Sequence, residues 1–364
     1  MTPVHIAIFG QPLSGKSTVY EALTGVTSEP VGSGPPLSSV KVPDPRLDRL
    51  AAMFNPKRKV PADVSFADVR VAGAAFTKTE GLSASYVDQL NKADALLLVV
   101  RAFTDESVPH LEGTIDPWRD LATMLDELSF TDQLLLTKRL ARIDEMIGKV
   151  KPAERETMER ERALLRRLLD GLEAGVAIRD QAQDEEERKL TRHYRFLTAK
   201  PLLAVVNLGE DQIGRALALE AELAGRLSGG GVLGASIAGK IERELVQLAG
   251  EDAVEFRESL GLVEPARDRI IRDAYRLLGF ISFFTVGPDE CRAWTIPAGT
   301  PAPRAAGAVH SDIERGFIRA EVVRYEDLVN AGSLAEARKR GLLRSEGKQY
   351  VVQDGDVIEY LFNV

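Results

Sequence analysis

Eight residues near the start of the chain, Gly10-Gln11-Pro12-Leu13-Ser14-Gly15-Lys16-Ser17, carry the full spacing G-x-x-x-x-G-K-[ST]. Those residue types make a phosphate cradle. Glycines let successive backbone N–H groups curl around an anion, and the helix that follows adds partial positive charge at its start. Lys16 is placed to reach the β and γ phosphates, which makes it the candidate catalytic cation. The Ser17 hydroxyl suits Mg²⁺, a cation that takes oxygen ligands in octahedral geometry. Thr18 opens the helix-like run and completes the candidate phosphate site. The alternative is a chance glycine-rich turn, but this stretch has the strand before it and the helix after it that a phosphate loop requires.

Two further groups fit around such a loop. Asp68 ends the apolar run 64–69 and can hold the Mg²⁺ shell through water; a strand-end Asp can also be a cap or a solvated residue, and the complete phosphate loop favours the metal role. Asn207, Leu208 and Glu210 follow the run 201–206 as N-L-G-E. A GTPase of this type carries Asn-Lys-x-Asp there, its Asp accepting from the N1–H and 2-amino groups of guanine. Leu208 stands in the Lys place and the longer Glu210 in the Asp place, so guanine recognition is not assured.

The elements that must position these residues are legible as periodicity. Runs 4–9, 64–69, 95–100 and 201–206 are short, apolar and bounded by loop or helix signals, as in a parallel sheet buried on both faces. With helices between them they predict a doubly wound α/β domain, over 1–117 and 198–278. An insertion, 118–197, has helical spacing (Leu134, Leu135, Lys138, Ile143, Ile147, then Leu164, Leu165, Leu168, Leu169) broken at Pro152. It reads as two antiparallel helices forming a projecting arm, or as a helical bundle on the main domain. From 279 to 364 two hairpins are expected, 280–286 with 291–296 and 350–352 with 357–362, in a small α+β domain.

The chain has 364 residues, a net charge of −8 and one cysteine, Cys291. That excludes an internal disulfide framework, a cysteine-built metal site and a protein basic all over. No apolar stretch nears the ~20 residues that span a bilayer, and the N-terminus lacks signal-peptide features. A cytoplasmic protein with neither a membrane nor a DNA partner is expected. Between positions 138 and 170, ten basic residues face seven acidic ones, so the arm either contacts rRNA phosphate or is a solvated mixed-charge surface.

Longer stretches carry a family likeness. Val42-Pro43-Asp44-Pro45-Arg46-Leu47-Asp48-Arg49-Leu50, Glu80-Gly81-Leu82, R-A-W-T-I at 292–296, A-A-G-A-V-H-S-D-I-E-R-G-F-I-R-A-E-V at 305–322 and E-G-K-Q-Y-V-V-Q-D-G-D-V at 346–357 resemble the YchF (Obg-like ATPase) family nearly end to end. The resemblance implies a Ras-like P-loop NTPase domain, an inserted coiled-coil arm and a C-terminal β-grasp domain of the TGS type. It also implies preference for ATP over GTP, with NxxE as its signature, and association with ribosomes. On the base side it brings in Ala238 and Gly239, where the family has a Ser/Cys-Ala step.

The departures concern switching. The family's Asp-x-x-Gly falls on Asp68-Val69-Arg70-Val71, with stiff Val71 in the glycine place. The first-switch Thr falls on Gly32, with Ser33 beside it, and Ala72 stands where a water-positioning Gln or His is sought. The expectation is therefore an ATP-binding, slowly hydrolysing protein that works on or near the ribosome. The alternatives are a nucleotide-regulated ribosome- or RNA-binding module with little turnover, and a GTP-binding protein. His310, beside Ser311 and Asp312, and His5 are read as structural.

Overall fold

The computed structural model describes residues 4–28, 35–70, 76–77, 81–227, 229–248, 250–260, 262 and 264–363. In chain order the elements begin β1 (His5–Phe9), α1 (Lys16–Thr24), β2 (Leu37–Lys41), α2 (Pro45–Phe54), β3 (Arg58–Val60) and β4 (Asp63–Asp68). Next come β5 (Phe76–Thr77), β6 (Gly81–Leu82), α3 (Ala84–Lys92), β7 (Ala95–Arg101), α4 (Pro117–Met146), α5 (Pro152–Glu173) and α6 (Glu185–Thr191). Then follow β8 (Leu202–Asn207), α7 (Ala216–Arg226), β9 (Val232–Ile237), α8 (Gly239–Gln247), α9 (Gly250–Ser259) and α10 (Ala266–Leu277). The last stretch holds β10 (Phe280–Val286), β11 (Glu290–Pro297), α11 (Ala302–Val309), α12 (Ser311–Arg315) and β12 (Phe317–Arg324). It closes with α13 (Tyr325–Ala331), α14 (Leu334–Lys339), β13 (Arg344–Glu346) and β14 (Asp356–Phe362).

Two compact units result, Val4–Ser38 with Phe66–Arg267 and Ser39–Ser65 with Asp268–Val364. In the first, the sheet runs β2-β4-β1-β7-β8-β9, the division falling within β2 and β4. β1, β7, β8 and β9 are parallel neighbours, with Ile8 opposite Leu97, Leu97 opposite Leu203 and Leu203 opposite Leu233. Every residue of β7 and β8 is buried. Helices cover both faces of a parallel sheet, so its central strands are apolar throughout and do not alternate. One such cover consists of Tyr86 and Leu90 of α3, Leu121, Met124 and Leu128 of α4, and Leu219 and Leu223 of α7.

The inserted region forms two long helices with a break at Pro152, as the spacing predicts. Asp116 caps α4 by accepting from the N–H groups of Trp118 and Arg119, with Pro117 in the first turn; proline suits that position because its missing donor would be unpaired there anyway. α4 serves two cores in succession. Its first turns pack on the sheet, while Leu136, Leu140 and Ile143 pack with Leu164, Leu165, Leu168, Leu169 and Leu172 of α5. Buried Asp132 lies between the two sets and accepts from the Leu197 N–H at 2.9 Å and from the Thr198 N–H and hydroxyl, both at 2.7 Å. Burial pushes its carboxyl up to about 6 against those donors. Five of the arm's ten cations are paired: Arg139 with Glu161, Arg155 with Glu159, Arg160 with Glu156, Arg162 with Asp144 and Arg167 with Glu187.

In the second unit the sheet runs β13-β12-β14-β10-β11-β3. The β10–β11 hairpin forms as expected, in register from Phe280–Pro297 to Val286–Cys291. The second expected hairpin does not. β14 lies between antiparallel β12 and parallel β10, while Val351 makes only an isolated bridge to Pro301. The turn at 354–355 is held from elsewhere: Arg46 donates to Asp354 Oδ2 at 2.8 Å and to Asp44, and its guanidinium lies 5.2 Å from the Phe284 ring centre. Residues 39–65 belong to this unit because α2 and β3 pack on it, β3 pairing in parallel with β11. In the chain they lie within the expected segment 1–117 that carries the phosphate loop.

Asp132→Ala leaves two buried backbone donors unpaired and is expected to cost about 2–4 kcal/mol in denaturant unfolding. A loss below roughly 0.5 kcal/mol shows that the carboxylate does not pin the arm's return to the sheet.

Candidate nucleotide site

The turn after β1 must bring its backbone against β7 and β8, and two glycines permit this. A Cβ on Gly10, at φ 147°, would lie 2.4 Å from the Val99 carbonyl oxygen. One on Gly15, at φ 86°, would lie 2.2 Å from Asn207 Nδ2. Gly15, the N-cap of α1, has no side chain to cap the helix, and the first turn holds no acidic residue. The first N–H groups of a helix have no partner within it, so the start of α1 presents free donors and partial positive charge.

Lys16 folds back over the loop, donating to the Gln11 carbonyl at 2.7 Å. Burial pulls its ammonium down to about 8, while the Asp68 carboxylate pulls the other way. Ser14 donates its N–H to the same Gln11 carbonyl at 3.3 Å, and its hydroxyl is buried with no partner among the described residues. Leu13 takes a left-handed backbone at φ 62° and is half exposed; Pro12 precedes it, and Thr18 lies within α1.

Asp68 is fully buried at the end of β4, and its two oxygens differ. Oδ2 accepts from Ser17 Oγ at 2.8 Å, from Ser28 Oγ and from Arg70 Nε at 2.9 Å. Oδ1 is buried with no partner among the described residues. An orphaned carboxylate oxygen beside a Ser17 hydroxyl, both hard oxygen donors at the mouth of a phosphate loop, fits a hydrated Mg²⁺. Among the described residues no cluster of three or more His, Cys, Asp or Glu side chains offers another metal site.

On the other side, buried Asn207 is committed at both ends. Its Nδ2 donates to the Ser14 carbonyl at 3.1 Å and its Oδ1 accepts from the Gly239 N–H at 3.1 Å. The predicted base-side residue therefore also ties the phosphate loop to the start of α8. Leu208 is buried, its N–H bonded to the Ile237 carbonyl, and Ala238 is buried beside it. Glu210 is exposed at the start of a short 3₁₀ helix, with no side-chain partner among the described residues.

Four residues that spacing did not single out complete the site. Ser28 and Arg70 surround Asp68. Tyr86 accepts from the Gly10 N–H at 3.3 Å. Arg101, buried at the end of β7, donates to the carbonyls of Val108 at 2.7 Å and Leu13 at 3.4 Å and stacks over Phe103 at 4.4 Å. Its signal in the sequence is a cation ending an otherwise apolar strand. Val71, Ala72, Gly32 and Ser33 lie outside the described residues. Neither His310, which caps α12, nor buried Cys291 belongs to this group.

A doubly wound sheet with a phosphate loop after its first central strand defines a nucleotide-binding P-loop NTPase. Similarity narrows the class. The YchF-GTPase_C model, described as a protein of unknown function (DUF933), matches residues 280–363. The chain is 38% identical to the ribosome-binding ATPase YchF of Bacillus subtilis (strain 168) across 98% of both chains. It is 33% identical to Obg-like ATPase 1 of Caenorhabditis elegans, covering 100% of this chain and 93% of that one. The solved Schizosaccharomyces pombe YchF GTPase superposes with a TM-score of 0.84 at 31% identity, over 98% of this chain and 97% of its own. The chain belongs to the YchF (Obg-like ATPase) family, with its Ras-like P-loop domain, helical arm and TGS-like β-grasp domain.

Two outcomes follow. A polyphosphate beside Lys16 restores its proton, so nucleotide binding takes up a proton above pH 8. Affinity should then fall as pH rises from about 7.5 to 9.5, approaching about tenfold per unit, and Lys16→Arg should flatten the profile; calorimetry in buffers of different ionisation enthalpy reads it. Asn207→Ala unties Ser14 from Gly239 and should cost about 1–3 kcal/mol in unfolding along with weakened nucleotide binding. Unchanged values for both would remove its bridging role.

Proposed function

We propose that the chain binds ATP with Mg²⁺, hydrolyses it slowly, and works on the ribosome in the cytoplasm. The observation that carries this is the arrangement around the phosphate loop: N-terminal donors of α1 and a lysine, facing a buried carboxylate oxygen that has no partner among the described residues. In this reading Gly10, Gln11, Pro12, Leu13, Ser14, Gly15 and Thr18 line the polyphosphate. Lys16 stabilises charge on the transferring phosphoryl group. Ser17 and Asp68 hold the metal, which supplies charge neutralisation of the phosphates. Asn207, Leu208, Glu210, Ala238 and Gly239 form the base side, with the free Glu210 carboxylate suited to accept from an exocyclic amine.

The domains 1–117 with 198–278, 118–197 and 279–364 would then be nucleotide engine, arm and TGS-like module, with 39–65 packed on the C-terminal sheet. Relatives named ribosome-binding ATPases support the ribosome as partner, through rRNA in our reading. No helix among the described residues is long and apolar enough to cross a membrane. Slow turnover follows from Ala72 in the water-positioning place.

A second reading, a nucleotide-regulated binding module with little turnover, is favoured by one contact. The Arg70 guanidinium sits on the carboxylate that the metal shell needs, next to Val71 in the place of the switch glycine.

ATP should bind more tightly than GTP, since the Asn207/Glu210 pair lacks the guanine-specific Asp; a calorimetric titration with equal or tighter GTP affinity sinks the ATP assignment. Lys16→Ala should abolish nucleotide binding or hydrolysis with the melting temperature unchanged. Normal ATP binding and turnover by that variant would overturn the phosphate-loop reading.

A further inference from the structure

We infer that a groove at the base of the arm, lined by Arg188, Arg192 and Arg195, is a docking surface for the phosphate backbone of RNA; this rests on the ribosome-associated reading above and names its contact. The groove encloses about 660 Å³ between the turn after α3 and the segment that leads from α6 back to β8. Its wall carries Lys92, Arg179 and Lys200 besides the three arginines, against one carboxylate, Asp94.

These cations have different employments. Lys200 donates to the carbonyls of Asn91 and Ala93 at the end of α3, Arg179 to those of Thr198 and Lys200, and Lys92 pairs with Asp88. Arg188, Arg192 and Arg195 are exposed and have no side-chain partner among the described residues. Three unpaired like charges on one concave wall repel one another, and a low-dielectric concavity focuses their field outward. Burial lowers the Lys200 ammonium pKa; of the charges around it, Asp94 and Asp132 raise it and Arg195 lowers it. In the sequence, 188–200 holds five Lys or Arg residues and no acid, within a chain of net charge −8.

Guanidinium groups match phosphate geometry through paired N–H donors, and several at spaced positions on one wall fit a repeating polyanion better than one small anion. Half of the arm's own cations, by contrast, are spent on neighbouring carboxylates. The groove adjoins the residues that precede β7 and β8, at the opposite end of the parallel strands from the phosphate loop. RNA there leaves the nucleotide site open.

The test titrates a short RNA duplex and purified ribosomes against the full chain and against the triple variant Arg188→Glu, Arg192→Glu, Arg195→Glu. Melting temperature and ATP affinity serve as folding controls. Duplex affinity should fall by more than about tenfold, and the slope of log affinity against log salt should become shallower by roughly 2.7, from three phosphate contacts at about 0.9 each. The triple Arg→Lys variant should keep most of the affinity. If the Glu variant melts early, single Arg→Gln variants carry the comparison, each lowering the slope by roughly 0.9. Equal duplex binding by wild type and variants, or none by wild type, overturns the groove assignment. So does displacement of the duplex by poly-glutamate at matched charge, which identifies an acidic protein as the occupant. Ribosomes that fail to retain the wild type overturn the ribosome reading instead, and the duplex result still judges the groove.

Discussion

The Asn207 carboxamide occupies the space that a Cβ on Gly15 would take, and from there it holds the Ser14 carbonyl with one end and the Gly239 N–H with the other. Much of the site depends on this bridge. It sets the curvature of the phosphate loop from the far side and brings the start of α8 alongside. It also requires glycine at position 15, whose positive φ then turns the chain into α1. A buried amide with both ends bonded is rigid, because releasing either end leaves a polar group unpaired in the interior. The loop is thus shaped before any phosphate arrives, which lowers the cost of ordering it on binding.

Around that loop the protein leaves several polar groups short of partners. Among the described residues Ser14 Oγ and Asp68 Oδ1 are buried without one, and Lys16, hydrogen-bonded to a backbone carbonyl, has the Asp68 carboxylate as the opposite charge acting on it. Each arrangement costs free energy in the isolated chain, and each is relieved by the same chemistry, a polyphosphate with a hard cation. Asp68 is partly compensated meanwhile by Ser17, Ser28 and Arg70. Any cation that takes up Asp68 competes with a guanidinium already there, which sets this chain apart from a carboxylate held by hydroxyls alone.

The second unit follows a similar logic with a different purpose. Asp44 caps α2 through the Arg46 N–H and holds the Arg46 side chain, which reaches the carboxylate of Asp354. Residues some 308 positions apart in the chain meet over the Phe284 ring. The stretch around Pro43-Asp44-Pro45-Arg46 and the Asp354-Gly355 turn are therefore two halves of one ion-pair cluster. That gives a physical reason for the residue types in both.

Local chemistry determined a good deal by itself. Continuous apolar runs specify buried parallel strands, and β1, β4, β7 and β8 fall within a residue of where those runs lie. The leucine spacing and Pro152 specify the two arm helices, since proline cannot continue a helix interior. The G-x-x-x-x-G-K-S spacing specifies the loop, whose backbone torsions are set by its own glycines. What the tertiary structure alone decided are contacts between residues far apart in sequence: Ser28 and Arg70 on Asp68, Arg101 on the Leu13 carbonyl, Asn207 between Ser14 and Gly239. It also decided that β14 pairs with β12 and β10 and not with 350–352, and that 39–65 joins the C-terminal sheet. A hairpin is chosen by short-range turn geometry, but partner strands in a mixed sheet are chosen by which edges and apolar faces are free once the whole unit packs. No local pattern encodes that competition, so the same side chains that announce their own elements leave their distant partners unannounced.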